Sequence, residues 1–417
     1  MNLYTAIFLV MLFATALTQW WLAARHMRYI RNHRGQVPAA FRDHIPLESH
    51  HKAADYTLAR TRLGLAEGAY GYLILLGWTL GGGLALLNGA WSQLEWSPLW
   101  TGVAVMLSLF VVSSLLDLPF SLYHTFGLEA RFGFNRTDLR TFVGDMLKNG
   151  LLLLLLGTPL IAVVLWLMQA SGSLWWLYVW IVWMGFTLLM LWAYPAFIAP
   201  LFNKFSPLED NELRQRIESL LSRCGFTSNG IFVMDGSKRS GHGNAYFTGL
   251  GENKRIVFFD TLLKSLDPDE VEAVLAHELG HFKHKHVHKR LVSMALLSLA
   301  GLAALGWLIQ QPAFFHGLGV NEPSLHMGLI LFLLVSPLFG FFLSPLMNAL
   351  SRKHEFEADA YAASQTRAGD LVQALVKLYR ENASTLTPDP LYSTFYDSHP
   401  PAPVRVAQLN ANARQPA

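Results

Sequence analysis

Seven apolar stretches, at about 3–24, 68–90, 99–120, 150–170, 174–199, 291–310 and 328–349, are each long enough to cross a bilayer. In hydrocarbon every backbone N–H and C=O must find its partner within the chain, so stretches of this length can only be helices. The charge content agrees: 15% of residues are charged and 52% hydrophobic, where a soluble domain is about a quarter charged. The expected fold class is mainly α, a polytopic membrane protein of seven transmembrane helices with room for one modest soluble domain. The net charge of +3 comes from basic residues beside the apolar spans, which points to membrane lipids and not to nucleic acid as a partner. The single Cys224 excludes an internal disulfide and reads as a core thiol of a reducing compartment, with a catalytic cysteine as the alternative.

Charge asymmetry sets the orientation. No Lys or Arg precedes the first stretch, and Arg25, Arg28, Arg31 and Arg34 follow it, the pattern of a retained anchor with its N-terminus outside. Segments 25–67 and 121–149 are basic, whereas 91–98, 171–173 and 311–327 hold no Lys or Arg. Seven crossings with a cytoplasmic C-terminus satisfy every connection. The domains expected are helices one to five over 1–199, with cytoplasmic loops 25–67 and 121–149, and helices six and seven over 291–350. Between and after them lie cytoplasmic pieces 200–290 and 351–417. The first reads as a helix (211–223), strands 231–235, 243–249 and 255–259 with a turn at Gly251-Glu252-Asn253, then a further helix. The second reads as a helix to about 365, another near 369–382, a Pro-rich loop and a short final helix. Both are expected to join their spans without a break, through Lys289-Arg290 and through Ser351-Arg352-Lys353, which would bring their chemistry to the membrane surface. Asp117 is expected near a span end, its carboxylate reaching the interface.

The helix near 271–284 carries His277-Glu278-Leu-Gly-His281. Asp267 and Glu270 are placed to cap it, and apolar residues at 271, 274 and 275 mark its buried side. Positions 277 and 281 lie one turn apart on one face, so both imidazoles can reach a single cation. Glu278, one residue round, can hold an activated water without being a ligand. Two neutral nitrogens and one oxygen suit one zinc ion per chain and leave a fourth position open.

A third ligand must come from elsewhere. Glu355 and Asp359, four apart after the last span, share a helix face, while Glu357 points away. Glu355 would be the third ligand and Asp359 would accept the far N–H of a ligating histidine; a solvated acidic helix is the plainer alternative. His284 competes for the same place but lies about 10.5 Å along the axis from His277, so His284, His286 and His288 read as a polar interfacial run. The signature with a third histidine six residues beyond His281 is absent, since that position is Val287. With zinc bound, Glu278 would be general base. The tetrahedral intermediate needs a further donor; the loop from Asp397 to Arg405, with His399, holds candidates, though taken alone its His399 and Arg405 read as surface residues. Strand 243–249, with Asn244, could pair with an extended peptide or be an ordinary hairpin strand.

Together these pieces resemble the type I CAAX prenyl endopeptidases, integral-membrane zinc proteases of the gluzincin kind. The matching segments are Leu128-Glu-Ala-Arg-Phe-Gly-Phe-Asn135-Arg, Ser237-Lys-Arg-Ser-Gly-His-Gly-Asn244-Ala-Tyr-Phe, His277-Glu-Leu-Gly-His281, Glu355-Phe-Glu-Ala-Asp359-Ala and His399-Pro-Pro-Ala-Pro-Val-Arg405. The resemblance implies seven helices enclosing a water-filled chamber, with the zinc site facing inward and a protease domain carrying a small sheet. It makes His277, His281 and Glu355 the ligands and Glu278 the base, with Asn244 and His399 positioning substrate and stabilising the oxyanion and Arg405 in support. It implies cleavage near the C-terminus of peptide or protein substrates, with or without lipid modification. A general quality-control protease of membrane proteins is the first alternative; the shorter family of that kind has fewer spans and matches less well. A non-catalytic chamber that binds lipid or partner chains, with structural zinc, is the second. The last residues carry no short retrieval signal, so a bacterial inner membrane with a cytoplasmic active site is expected, or the ER membrane in a eukaryote.

Overall fold

A computed structural model describes residues 2–248 and 255–413. The membrane half begins with α1 (Leu3–His33), α2 (Leu47–Trp78), α3 (Gly83–Ser92), α4 (Pro98–Glu129), α5 (Leu139–Ala170) and α6 (Gly172–Phe202). Then come β1 (Phe205–Pro207), α7 (Asn211–Cys224), β2 (Ile231–Met234), β3 (Ala245–Thr248), β4 (Arg255–Phe259), α8 (Asp260–Ser265) and α9 (Pro268–Lys283). The chain re-enters the membrane half as α10 (His286–Leu308), α11 (Pro312–Gly317) and α12 (Leu325–Gln365), and ends with α13 (Ala368–Glu381), α14 (Pro390–Tyr396) and α15 (Ala402–Ala413).

Among the described residues six helices are long and apolar enough to cross a membrane, and the α2–α3 pair, bent by 49°, makes a seventh if counted as one span. The 68–90 stretch is therefore a broken crossing and not a straight one. Its break follows from the glycine run 81–83: Gly82 sits at φ +80°, and a Cβ at Gly81 or Gly83 would lie 2.8 Å from the Gly77 carbonyl oxygen. The crossings also extend well beyond their apolar segments, so much of 25–67 and 121–149 is helix. Asp117 accordingly lies inside α4, which runs on to Glu129, and lines a cavity with Glu67 and His124.

Two of the buried apolar clusters among the described residues are much larger than the rest. In the membrane half Phe8, Leu84, Val105, Leu165, Phe315 and Ile330 are buried together, while Trp166, Trp183, Leu296 and Leu346 are exposed, as side chains of apolar helices in lipid are. In the other half Ile217, Leu220, Phe258, Leu262, Leu275 and Leu371 are buried between the sheet and α7, α8, α9 and α13. The sheet has order β1-β2-β4-β3, with β2 and β4 parallel and the outer pairs antiparallel, so β3 is an edge strand. The halves are tied by ion pairs: Arg239 donates to both oxygens of Asp145 at 2.8 and 2.9 Å, and Arg25 reaches Asp389 at 2.9 Å.

Strand 231–235 is observed as Ile231–Met234, 255–259 as Arg255–Phe259 and helix 211–223 as Asn211–Cys224. The third strand is Ala245–Thr248, and the turn at 251–253 lies outside the described residues. β1 and α11 were not foreseen. The last span does run unbroken into the helix bearing Glu355, as one 41-residue element. The histidine helix does not: α9 stops at Lys283, and Lys285 at φ +56° turns the chain before α10 begins.

Candidate active site

The capping pair of α9 is present. Glu270 Oε2 accepts from the Asp267 backbone N–H at 2.8 Å, and Lys377 Nζ lies 2.8 Å from each of the two carboxylates. Val271, Leu275 and Leu279 are buried in the sheet core. That fixes the rotation of α9 and turns His277 and His281 toward α12. Gly280 permits the approach: a Cβ there would lie 2.9 Å from the Ala358 Cα and 3.0 Å from its carbonyl oxygen.

The donor atoms converge. His277 Nε2 lies 3.2 Å from His281 Nε2 and 3.4 Å from Glu355 Oε2, and His281 Nε2 lies 3.4 Å from Glu355 Oε1. All three groups offer an atom within 4.8 Å of the others, and they form the one such cluster found among the described residues. Two ligands bonded to zinc at about 2.1 Å and a tetrahedral angle stand roughly 3.4 Å apart, so the set fits the ion. Glu355 Oε2 is moreover buried with no hydrogen-bond partner among the described residues, a loss that coordination would make good.

Around the cluster, His277 Nδ1 lies 2.8 Å from Asp359 Oδ1. Arg405 donates to both Asp359 oxygens, at 2.8 and 2.5 Å, and is itself buried. Burial works against the guanidinium's charge, but the hydrogen bonds to Asp359 hold its pKa above the ordinary value. Glu278 is half-buried beside His277; burial pushes its carboxyl up, with the histidines opposing. His399 Nε2 lies 3.4 Å from Glu355 Oε1, and desolvation holds its imidazole below the ordinary value. Asn244 immediately precedes the edge strand β3, where its carbonyl accepts from the Phe259 N–H at 3.0 Å. A cavity of about 1210 Å³ reaches the site at His399 and Asn244 and extends between the membrane helices to Arg60 and Glu67.

Three comparisons bear on this arrangement. Residues 26–204 match the family model "CAAX prenyl protease N-terminal, five membrane helices", and 207–413 match "Peptidase family M48". A CAAX prenyl protease 1 homolog of Arabidopsis thaliana is 40% identical over 304 residues, covering 73% of this chain and 72% of that protein. The CAAX prenyl protease 1 of Saccharomyces cerevisiae is 34% identical over 409 residues, covering 90% and 88%. The chain belongs to the M48 CAAX prenyl protease family. Its fold agrees: the crystal structure of S. mikatae Ste24p superposes with a TM-score of 0.93 at 31% identity, over 98% of this chain and 100% of that one. Family membership makes the protein an integral-membrane zinc metalloendopeptidase and does not favour a general quality-control protease or a non-catalytic chamber.

Within that family frame, the structure brings together His277, His281, Glu355, Asp359, Arg405 and His399 around one point, with Glu278 alongside and Asn244 at the cavity wall. Two expectations were wrong. Glu357 does not point away: its Oε2 lies 2.8 Å from His286 Nε2. Nor does His286 belong to a polar interfacial run, since it is buried and its Nδ1 lies 2.9 Å from His281 Nδ1. The left-handed residue Lys285 brings it there. His242 was also missed; it lines the cavity, stacked on Phe134 at 4.2 Å. Its signal was the His242 inside the Ser237–Phe247 segment, read there only as a match.

Proposed function

We propose that His277, His281 and Glu355 hold a single zinc ion, that Glu278 is the general base, and that the chain cuts peptide bonds near the C-termini of prenylated or membrane-associated proteins. The observation that carries this reading is the spacing of three donor atoms from two helices at the separation a tetrahedral ion requires, with a burial-raised carboxyl next to them. When bound, zinc supplies Lewis acidity, which acidifies water and polarises a carbonyl. Glu278 removes the proton of the attacking water and hands it to the departing amine nitrogen. A carboxyl with raised proton affinity holds that proton long enough to deliver it. Asn244, at the head of the edge strand, holds the peptide backbone as the substrate adds to the sheet. His399 donates to the carbonyl oxygen as negative charge grows on it. Arg405 fixes Asp359, which fixes the tautomer and the plane of His277.

Relatives carry the name CAAX prenyl protease, and the cavity between membrane helices admits a lipid-bearing chain; both support a lipid-modified peptide as substrate. The loop charges support a protease domain, made of 200–290 and 351–417, on the cytoplasmic side of 1–199 and 291–350. The membrane is a bacterial inner membrane, or that of the ER in a eukaryote. The test is metal analysis of purified protein beside hydrolysis of a farnesylated peptide and its unprenylated twin. One zinc per chain, lost in Glu355→Ala, and faster cleavage of the farnesylated peptide are expected. Equal rates on the two peptides would remove the prenyl preference, and zinc retained by Glu355→Ala would remove the ligand set.

A further inference from the structure

His277 is backed by one carboxylate, Asp359, across a single hydrogen bond. Among the described residues, His281 has no carboxylate at that distance behind its far nitrogen; it has His286. We propose that Glu357 and His286 are positioning residues for His281, a relay that fixes which of its nitrogens is free to bind the metal. The inference rests on reading His281 as a zinc ligand.

Proton accounting carries it. Glu357 is an acceptor only, so at 2.8 Å it requires the His286 proton on Nε2. A neutral His286 then presents a lone pair at Nδ1. The contact between His286 Nδ1 and His281 Nδ1, at 2.9 Å, needs one proton between the two nitrogens, and that proton must sit on His281. His281 Nε2 is left with its lone pair, on the side facing His277 and Glu355. The chain of bonds therefore runs from a carboxylate through one imidazole to the nitrogen opposite the ligand atom.

The surroundings hold this arrangement in place. His286 is 5% exposed and stacked on His354, with ring centroids 4.1 Å apart and planes at 14°. Lys289 and Lys353 each place Nζ 3.8 Å from Glu357. The backbone is shaped for the contact. On an unbroken helix, residues five apart lie about 140° round the axis from one another, and their rings could not meet. The turn at Lys285 folds His286 back onto His281. Three alternate residues of α12 thus serve one centre: Glu355 among the donors, Asp359 behind His277, and Glu357 behind His286.

Partners of this kind change metal affinity by about ten- to a hundredfold. The experiment measures zinc affinity of the full-length protein by competition with a chromophoric chelator, and the visible spectrum of the cobalt-loaded form. The variants are Glu357→Ala, Glu357→Gln, His286→Phe and the double Glu357→Ala/His286→Phe. Phe keeps the stack on His354 and removes both hydrogen bonds; Gln keeps an acceptor oxygen. Glu357→Ala and His286→Phe should each weaken zinc by about tenfold or more and shift the cobalt bands, and Glu357→Gln should stay within about threefold of wild type. The double variant should be no worse than the worse single one, because the two residues act in series. Wild-type affinity and an unshifted cobalt spectrum in Glu357→Ala, or losses that multiply in the double variant, would overturn the relay. Glu355→Ala separates the two levels: if it abolishes zinc binding while Glu357→Ala does not weaken it, the relay fails and the ligand set stands. If Glu355→Ala keeps zinc, the ligand set fails first.

Discussion

Replacing Gly280 with Ala should damage the metal site without touching a ligand. In a helix interior the change alone favours Ala by about 1 kcal/mol. Against that, the new Cβ would lie 2.9 Å from the Ala358 Cα and 3.0 Å from its carbonyl oxygen. These are backbone atoms of α12, so no rotamer change relieves the contact. Reaching an ordinary carbon separation of about 3.5–4.0 Å means parting the helices by roughly 0.5–1 Å. Metal–ligand distances tolerate only about 0.2 Å, and His277 and His281 lie on one helix while Glu355 lies on the other. Overpacking of this kind costs about 1–3 kcal/mol, which, felt in full as misplaced donors, weakens zinc by roughly five- to 150-fold at 1.4 kcal/mol per decade. The assay is a chelator-competition titration with thermal unfolding of the metal-free protein beside it. Ala358→Gly added to Gly280→Ala should not rescue, because it removes no atom in the clash. Wild-type zinc affinity in Gly280→Ala, or rescue by Ala358→Gly, would refute the close-approach reasoning.

Glu278→Gln should keep stoichiometric zinc and lose hydrolysis by about a hundredfold or more, read by metal analysis with peptide turnover. Arg405→Lys should weaken zinc by roughly tenfold despite its retained charge, since a single ammonium cannot replace the two-pronged grip on Asp359; isothermal or chelator titration reads it. Stripping the metal with a chelator should abolish cleavage, and stoichiometric zinc should restore it. Lys285→Gly should raise the melting temperature, because glycine tolerates the left-handed conformation at φ +56° that costs an ordinary residue about 1–2 kcal/mol; an unchanged or lower value counts against strain at that turn.

The donors were legible because helical periodicity does the placing. Residues 277 and 281 share a face by spacing alone, and so do 355 and 359. What brings the two pairs together was not legible. Gly280 stands at a position where the motif accepts many residues, and only the contact with Ala358 shows why it has no side chain. The misreading of Glu357 and His286 has a different cause. A chain break is normally announced by Gly or Pro, and here it falls on Lys285, so an unbroken helix was the natural reading and sent His286 to the wrong face. The bend between α2 and α3 was announced, by three glycines in a row, and was passed over because hydropathy stays high across it. β1, at three residues, is too short to show any alternation.

The two helices that meet at the metal are tethered differently. α12 enters from hydrocarbon and carries its carboxylates with no turn on the way, whereas α9 is welded to the sheet and joins its own crossing only through Lys285. A bilayer that thickens or thins is expected to act directly on the first, and on the second through its contact with the first and through the ion pairs that tie the sheet to the membrane half. Turnover in bilayers of graded acyl length would therefore read whether hydrophobic mismatch reaches the two helices that carry the donors.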